Sequence, residues 1–451
     1  MFSFFQKKVR LIFLTGLLIV SCPQPDNTTP PVDESITIYS PEDMAKIGVM
    51  QTHPLSGTYL LMNNITLEDW PPIGDEAEPF AGVFNGNGKK ITLNGFDGAA
   101  VSGKPWLGVF GYVQGGSASA KAVIKNLVIE SSINATSTMA TGQAVGLVAG
   151  YAEMAEIENV TLSGTFAFGS EKTIFAGGVA GLISGEGTLV KNSGSSLTMN
   201  IAPGSGDGLM AMTYNYVGGF VGMFRDGAGI ENCHNTGNVT ADNVANAVGG
   251  QVFVGGVAGG SYFVMNTTYK GYITDSSSTG TIIGRAQGFW TLVGGIAGAI
   301  EGGNVNNLAT TTRVERCFVT GTISNQGDQS GFPYIGGVVA YNYYGALVSQ
   351  SYFSGTIFSG GKTDPFACGG VVGYHSQITA PNNSRVEECY SSGTANINDG
   401  AIVVGTTAGS ALTPERCYTI TSPQPEAYYA GWNFTTVWKM GADGYPQLMW
   451  Q

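Results

Sequence analysis

The chain has 451 residues, a formal net charge of -12, 12% charged residues, 43% hydrophobic residues and 68 glycines. Apolar and aromatic residues are too plentiful and too regularly spaced for a disordered chain, and no strict Gly-X-Y period supports collagen. Without the basic leader residues Lys7, Lys8 and Arg10, 17 basic side chains face 32 acidic ones, a balance that repels polyphosphates and speaks against nucleic acid as a partner.

Residues 1–21 read as an export signal. A basic start is followed by the apolar run Leu11 to Val20, which is too short to span a bilayer. The run ends in Leu18-Ile19-Val20-Ser21-Cys22, similar to the lipobox of bacterial lipoproteins, so Cys22 is expected to carry lipid after cleavage. An ordinary secretory signal with a coincidental cysteine is the other reading. Residues 22–35 are rich in Pro, Asp, Asn and Thr and have no apolar period, as suits a flexible linker.

Residues 36–107 are expected to cap the open end of a stack formed by the next three hundred or so residues. Ser40-Pro41-Glu42-Asp43 carries helix-start chemistry, with Ser at the N-cap and Pro at the first helical position. Strand-like runs flank Asn63-Asn64, and the turn-rich Phe84-Asn85-Gly86-Asn87-Gly88 lies beyond them. Gly98 to Lys104 has the spacing of a phosphate-binding loop, but Pro105 stands where Ser or Thr would hold magnesium, so it is read as a turn.

From residue 108 to 420 two linked phrases recur. The first is cleanest as Val254-Gly255-Gly256-Val257-Ala258-Gly259, and its copies end at Gly111, Gly150, Gly181, Gly222, Gly259, Gly298, Ala340, Gly373 and Gly409, at intervals of 31 to 42 residues. The second phrase reads apolar, polar, polar, small, as in Ile230-Glu231-Asn232-Cys233 and Val314-Glu315-Arg316-Cys317. A fixed period of this size marks a solenoid, propeller or array. No stretch sustains a helical period, so the units are strands joined by glycine turns, and each must stack on its neighbours to bury its apolar side chains. The expected fold is all-β: a right-handed parallel β-helix or solenoid of about nine repeats, with caps at both ends. A β-propeller-like array is the alternative, although nine units exceed the usual four to eight blades.

The last position of the second phrase is Ser193, Cys233, Ser276, Cys317, Ser351, Cys389 and Cys417, which suits an inward ladder of small groups. The cysteines read as buried thiols rather than a disulfide or metal ladder, although a single Cys389–Cys417 bridge is conceivable between neighbouring units.

Gly146-Leu147-Val148-Ala149-Gly150, Gly219-Phe220-Val221-Gly222 and Gly337-Val338-Val339, each followed by an Ile-Glu-Asn-Cys-like phrase, resemble the GLUG-motif repeats of bacterial surface proteins. The resemblance covers residues 108–420 and departs at Ala340 and at Gly405-Thr406-Thr407-Ala408-Gly409. It implies a surface-anchored β-solenoid, sometimes beside peptidase or adhesin modules, and no catalytic residue.

Residues 421–451 bring Tyr428, Tyr429, Trp432, Phe434, Trp438, Tyr445 and Trp450 together, either as a sugar platform or as a plug on the last coil; the plug is the expectation. His53, His234 and His375 have no metal-ligand spacing, so no metal or cofactor is expected. Glu186, Asp226 and Glu301 come after the first phrase, and Glu186 and Asp226 could form a carboxylate pair if their coils stack directly, as in a β-helix that cleaves polysaccharides. The same turns carry Tyr262, Phe263, Tyr341, Tyr343, Tyr344, Tyr374 and His375, of which Tyr262, Phe263, Tyr343, Tyr344 and Tyr374 are the candidate ligand-binding residues. The expected protein is a non-catalytic, adhesin-like or structural lipoprotein. It is held at the bacterial cell envelope, on the outer membrane or cell surface, and binds a protein or neutral glycan. A polysaccharide lyase or glycosidase is the alternative.

Overall fold

The structure is a computed structural model that describes residues 35–204, 214–243, 251–261, 270–286, 290–302, 311–326, 332–359, 367–376, 384–396, 403–408 and 414–451. The leader, Cys22, the linker, Tyr262 and Phe263 lie outside the described residues.

One coil shows how the repeat is built. Gln251–Gly255 is a strand, the Gly-Gly pair bends the chain, and Ala258–Ser261 is the next strand. The second phrase comes next as Tyr272–Thr274 and Ser277–Ser278, and Thr281–Ala286 closes the coil before Trp290–Gly294 starts another. Each segment pairs in parallel with its equivalent one coil away: Gly255 opposes Gly294, Ala258 opposes Ala297 and Ile273 opposes Val314. Among the described residues three large sheets result, of 24, nine and eight strands, and all their neighbours are parallel. The nine-stranded sheet holds one strand from each coil, and in the last of them Val404 opposes Val372, so Gly405, not the expected Gly409, takes the place of Gly373. This is a parallel β-helix. A propeller, whose blades are separate small sheets around a channel, does not have this pairing.

The glycines are required by close backbone approach. A Cβ on Gly255 would collide with the carbonyl oxygens of Ala258 and Ile296, and one on Gly259 would lie 2.5 Å from the Val217 nitrogen. The bend therefore folds two strands against the backbone of the neighbouring coil, and at Gly255 only hydrogen fits. Ala340 occupies the register position of Gly298 and Gly373 and is fully buried there. Inside the coils, Val254, Val257, Ile273 and Ile282 join one continuous core that runs from Ile38 to Val403.

The second phrase has its own backbone signature. Its third residue is left-handed in nine successive coils: Asn126, Asn159, Asn192, Asn232, Asp275, Arg316, Gln350, Glu388 and Arg416 all have φ between 49° and 54°. Asn tolerates this region because its short polar side chain bonds locally, and it fills the first four places. The side chains also bond from coil to coil. Asn159 Nδ2 donates to Asn126 Oδ1 at 2.7 Å, Asn232 to Asn192 at 2.9 Å, and Arg316 grips Asp275 through two bonds of 2.7 Å. The small residue after it points inward as expected: Ser193, Cys233, Ser276, Cys317, Ser351 and Cys389 are all buried, and the described cysteines are free thiols.

The ends differ in detail from the expectation. Residues 36–107 do not merely cover the stack, because Ile36–Ile38, Thr58–Leu61 and Val83–Asn85 pair in succession and continue the long sheet into Ala122–Ser137. The cover itself is the short helix Pro41–Met44 and the turn after it, which press Met44 and Ile47 onto the core. Ser40 Oγ accepts from the Asp43 N–H at 3.3 Å, so the helix start was legible. Gly98–Gly103 is a short helix rather than a turn, capped by Asp97, whose Oδ1 accepts from the Ala100 N–H at 3.0 Å.

At the other end the aromatic segment lies along the side of the stack rather than only over its last coil. In the long sheet His234, Ser277, Phe318, Tyr352, Tyr390 and Tyr418 stand in register one above another. Trp432 and Trp438 pack against Tyr390, and Trp450 reaches Phe318 and His234 at ring-centroid distances of 5.3 and 5.2 Å. Tyr390 Oη donates to the Pro446 carbonyl at 2.6 Å, and Gln451 Nε2 donates to Tyr352 Oη at 2.8 Å. These bonds fix the segment as a lateral strap.

Candidate functional site

Strands that bend sharply at a Gly-Gly pair turn one parity of side chains into the core and leave the other parity outside it. Those other residues form a second apolar cluster, separate from the main core. On one side of the bend it contains Phe175, Tyr216, Phe253, Leu292 and Tyr334, in register. On the other it contains Tyr151, Leu182, Met223, Ala299 and Tyr341. In the later coils the cluster reaches the surface through half-buried Tyr214, Trp290, Tyr344 and Tyr374.

These rings form a row. Tyr214 and Trp290 lie 6.4 Å apart with planes 7° from parallel, and Trp290 continues to Tyr341 at 6.1 Å. Tyr341 stacks on Tyr374 at 5.1 Å and 2°, Tyr343 flanks Tyr341 at 5.1 Å, and Tyr344 flanks Tyr343 at 5.6 Å. Strand register brings Tyr341 opposite both Ala299 and Tyr374. Burial raises the hydroxyl pKa of Tyr214, Tyr341 and Tyr343, and the Glu301 carboxylate adds to the shift in all three. Tyr214, Tyr341 and Tyr343 are therefore held as neutral phenols near one enclosed acid. Glu301 is 1% exposed, and its backbone N–H donates to Ser261 Oγ at 2.8 Å.

Of the candidate binding residues, Tyr344 and Tyr374 reach solvent and Tyr343 does not. Tyr343 is only 9% exposed and packs in the second cluster, so it belongs to the foundation of the row. Tyr341 is buried likewise. His375 is buried beside Asn342, whose amide lies 3.3 Å from its Nδ1, and burial lowers its pKa to about 4. Trp290 and Tyr214 are surface rings that the sequence pattern did not single out. They sit in the strands before the Gly-Gly bend, whereas the expected stripe ran along the turns after it. By strand register they stand two coils apart with Gln251 between them, so no one-coil repeat in the sequence links them.

Glu186 and Asp226 lie on neighbouring coils one register position apart, and Glu301 stands on a later coil. The Glu186 side chain is 80% exposed, with Lys270 Nζ 3.8 Å away. Asp226 has left-handed backbone, with φ 55°, and accepts from Ser184 Oγ at 3.0 Å. Gly227, not Asp226, lies against the Glu186 backbone: a Cβ on Gly227 would be 3.0 Å from the Glu186 Cα. Glu301 ends a strand and opposes Tyr343, one structural position away from those turns. A shallow cleft of about 350 Å³ lies between Glu186, Lys270, Tyr272 and Arg313, with the Arg313 guanidinium 4.7 Å over the Tyr272 ring. Tyr272 Oη donates to Glu231 at 2.9 Å, so this cleft mixes both signs of charge.

Among the described residues no group of three His, Cys, Asp or Glu side chains is arranged to hold a metal ion. His234 bonds Asn232 and Ser277, far in sequence from His375, and no described helix is long and apolar enough to cross a membrane.

No protein-family model matches the chain, and no curated protein matches it. A solved structure that does match is that of a "putative immunoglobulin A1 protease" from Bacteroides ovatus, which is 15% identical, with 92% of this chain and 93% of that one covered and a TM-score of 0.33.

Proposed function

We propose that this chain is a surface-anchored bacterial lipoprotein, held by lipid on Cys22, and that it binds an extracellular protein or neutral glycan without catalysing a reaction. The observation that carries the reading is the row of half-buried rings at Tyr214, Trp290, Tyr344 and Tyr374, linked through the buried rings of Tyr341 and Tyr343. Aromatic faces with a polar tip suit sugar rings and partner side chains, and they lose little side-chain entropy on binding. Several weak contacts at fixed spacing add up through avidity. The acidic mature chain disfavours polyanions. The resemblance to GLUG-motif repeats and the lipobox-like leader support a place at the cell envelope, probed by Cys22→Ala, which is expected to release the chain from membranes.

Binding is tested by Tyr344→Ala and Tyr374→Ala against glycan and matrix-protein arrays. Each is expected to weaken capture about tenfold, the scale of one good interface contact, with the melting temperature nearly unchanged. Unchanged capture by the double variant removes the row as the binding face. Turnover of a uronate polymer that is abolished by Glu186→Gln or Asp226→Asn overturns the non-catalytic reading.

A further inference from the structure

The inward ladder of the second phrase alternates Ser and Cys until its end. Cys233 lies between Ser193 and Ser276, and Cys317 between Ser276 and Ser351. Each of these serines accepts a backbone N–H from the coil before it, as when the Cys317 N–H donates to Ser351 Oγ at 3.0 Å. Only the last step places two cysteines together. Tyr390 opposes Tyr418, Glu387 bridges Glu415, and the Tyr418 N–H donates to the Cys389 carbonyl at 3.0 Å, so Cys389 and Cys417 face each other on neighbouring strands.

The side chains share a direction as well. Cys389 Sγ donates to the Glu387 carbonyl at 3.1 Å, and Cys417 Sγ to the Glu415 carbonyl at 3.3 Å. Each also approaches the carbonyl one coil back, Val348 at 3.9 Å and Val386 at 3.6 Å. Opposed residues on adjacent strands are about 4.8 Å apart, inside the roughly 4.4–6.8 Å Cα span that a disulfide bridges. Cys389 is fully buried and Cys417 partly accessible, so an oxidant meets Cys417 first.

We propose that Cys389 and Cys417 form a cross-coil disulfide that clamps the last coil to the stack. The Cys417 thiolate attacks the disulfide of an oxidised glutathione or a thiol–disulfide oxidoreductase, breaking that S–S bond and releasing one thiol. Cys389 then loses its proton and attacks the Cys417 sulfur, expelling the second thiol. The two cysteines give up two protons and two electrons, and the oxidant's disulfide takes them to become two thiols. Burial holds the Cys389 thiol well above its usual pKa, and the neighbouring Cys417 adds to this, which makes the second step the slow one. The other described thiols have no such neighbour: Cys368 lies in the strand Ala367–Gly369 of another sheet. The position fits a clamp, because Tyr418–Thr419 is a two-residue strand at the end of its sheet. The pairing itself is independent of export, whereas its presence in cells rests on the lipoprotein reading.

The test uses the full chain, incubated with oxidised glutathione, alkylated under denaturing conditions without reduction, and digested for mass spectrometry. The expected product is one peptide pair joined through Cys389 and Cys417, with Cys233, Cys317 and Cys368 alkylated. Proteolysis between the two cysteines, 28 positions apart, should slow about tenfold or more on oxidation. Cys389→Ser and, separately, Cys417→Ser should show no such difference between oxidised and reduced samples. Alkylation of both Cys389 and Cys417, or a bridge that leaves proteolysis unchanged, overturns the clamp. A bridge that forms in the purified chain but is missing from chain recovered from the cell envelope supports the pairing and counts against export.

Discussion

Replacing Gly255 by Ala adds a single methyl group at the bend on which the stack depends. Gly255 lacks the positive φ of a strained turn, so the backbone itself accepts Ala. The obstacle is steric: the new Cβ would meet the Ala258 carbonyl of the same coil and the Ile296 carbonyl of the next, the latter at 2.5 Å. Both are backbone atoms of paired strands, so neither can rotate away as a side-chain tip can. Overpacking costs about 1–3 kcal/mol where side chains share the strain, and the upper part of that range applies here. Gly194→Ala is the matched control, since a Cβ there meets nothing within 4 Å. It should be neutral or gain up to about 1 kcal/mol through the unfolded state. Urea unfolding followed by circular dichroism reads the difference, and hydrogen exchange locates it. Protection should fall in Gln251–Gly255 and Trp290–Gly294 and hold in the distant strand Ile65–Leu67. Equal midpoints for the two variants would refute the claim that close backbone approach, rather than mere turn flexibility, explains the first phrase.

The other expectations concern packing and pH. Cys317→Ser should change stability by less than about 1 kcal/mol, because Ser276 in the neighbouring coil already donates to its own i-2 carbonyl at 2.8 Å; Cys317→Tyr should cost more than the roughly 1–3 kcal/mol of ordinary overpacking, and equal thermal midpoints would remove the inward assignment. Trp438→Ala should cost about 3–5 kcal/mol at the strap, seen as early proteolysis after Ile420, since the ring is fully buried and lies 4.5 Å from Trp432. His375 titrates at about 4 when folded, below its ordinary value of 6.5, because burial disfavours the charged ring. The unfolded chain therefore binds the extra proton between those values, so stability is whole above about pH 6.5 and falls as pH drops towards 4, by about 2–3 kcal/mol. His375→Gln should flatten that part of the curve in pH-dependent melts, and an unchanged slope would place the effect elsewhere.

The repeat was legible because its two phrases are backbone requirements written in residue types. The first phrase demands glycine wherever another strand's backbone lies against the chain, and nine strands of one sheet carry its copies, the last with Gly405 in place of the expected Gly409. Apolar alternation in the second phrase revealed the inward face, including the position of Cys233 and Cys317. The left-handed residue between them was signalled by Asn in the early coils only. Arg316, Glu388 and Arg416 hold the same conformation with side chains that do not advertise it, relying on partners in neighbouring coils. The lateral strap was also hidden. Its aromatics announced burial, but the ladder from Phe318 to Tyr418 that receives them is assembled from four coils and has no signature in any one. The exposure of single tyrosines was illegible for a similar reason: Tyr343 and Tyr344 are sequence neighbours that alternate between the cluster and the surface.

The aromatic row itself bears on why such rings are present. At the position of Tyr341 and Tyr374, earlier coils carry Tyr112, Tyr151, Leu182 and Met223, and the middle coils only Gly260 and Ala299. If each ring served only to steady its own turn, the coils with Gly260 and Ala299 would leave a gap. Instead Trp290, from the strand on the far side of the bend, stacks on Tyr341, and Tyr214 stacks on Trp290 in turn. Rings from different sequence positions thus keep one continuous surface. Filling a cavity would be served as well by aliphatic side chains, fully enclosed. Rings that stop half-buried forgo part of the roughly 25 cal/mol per Å² available from burial, and what they keep is aromatic surface in reach of solvent. That pattern is the reason to search for a ligand there, and to begin with Tyr344 and Tyr374 rather than with the enclosed Tyr341 and Tyr343.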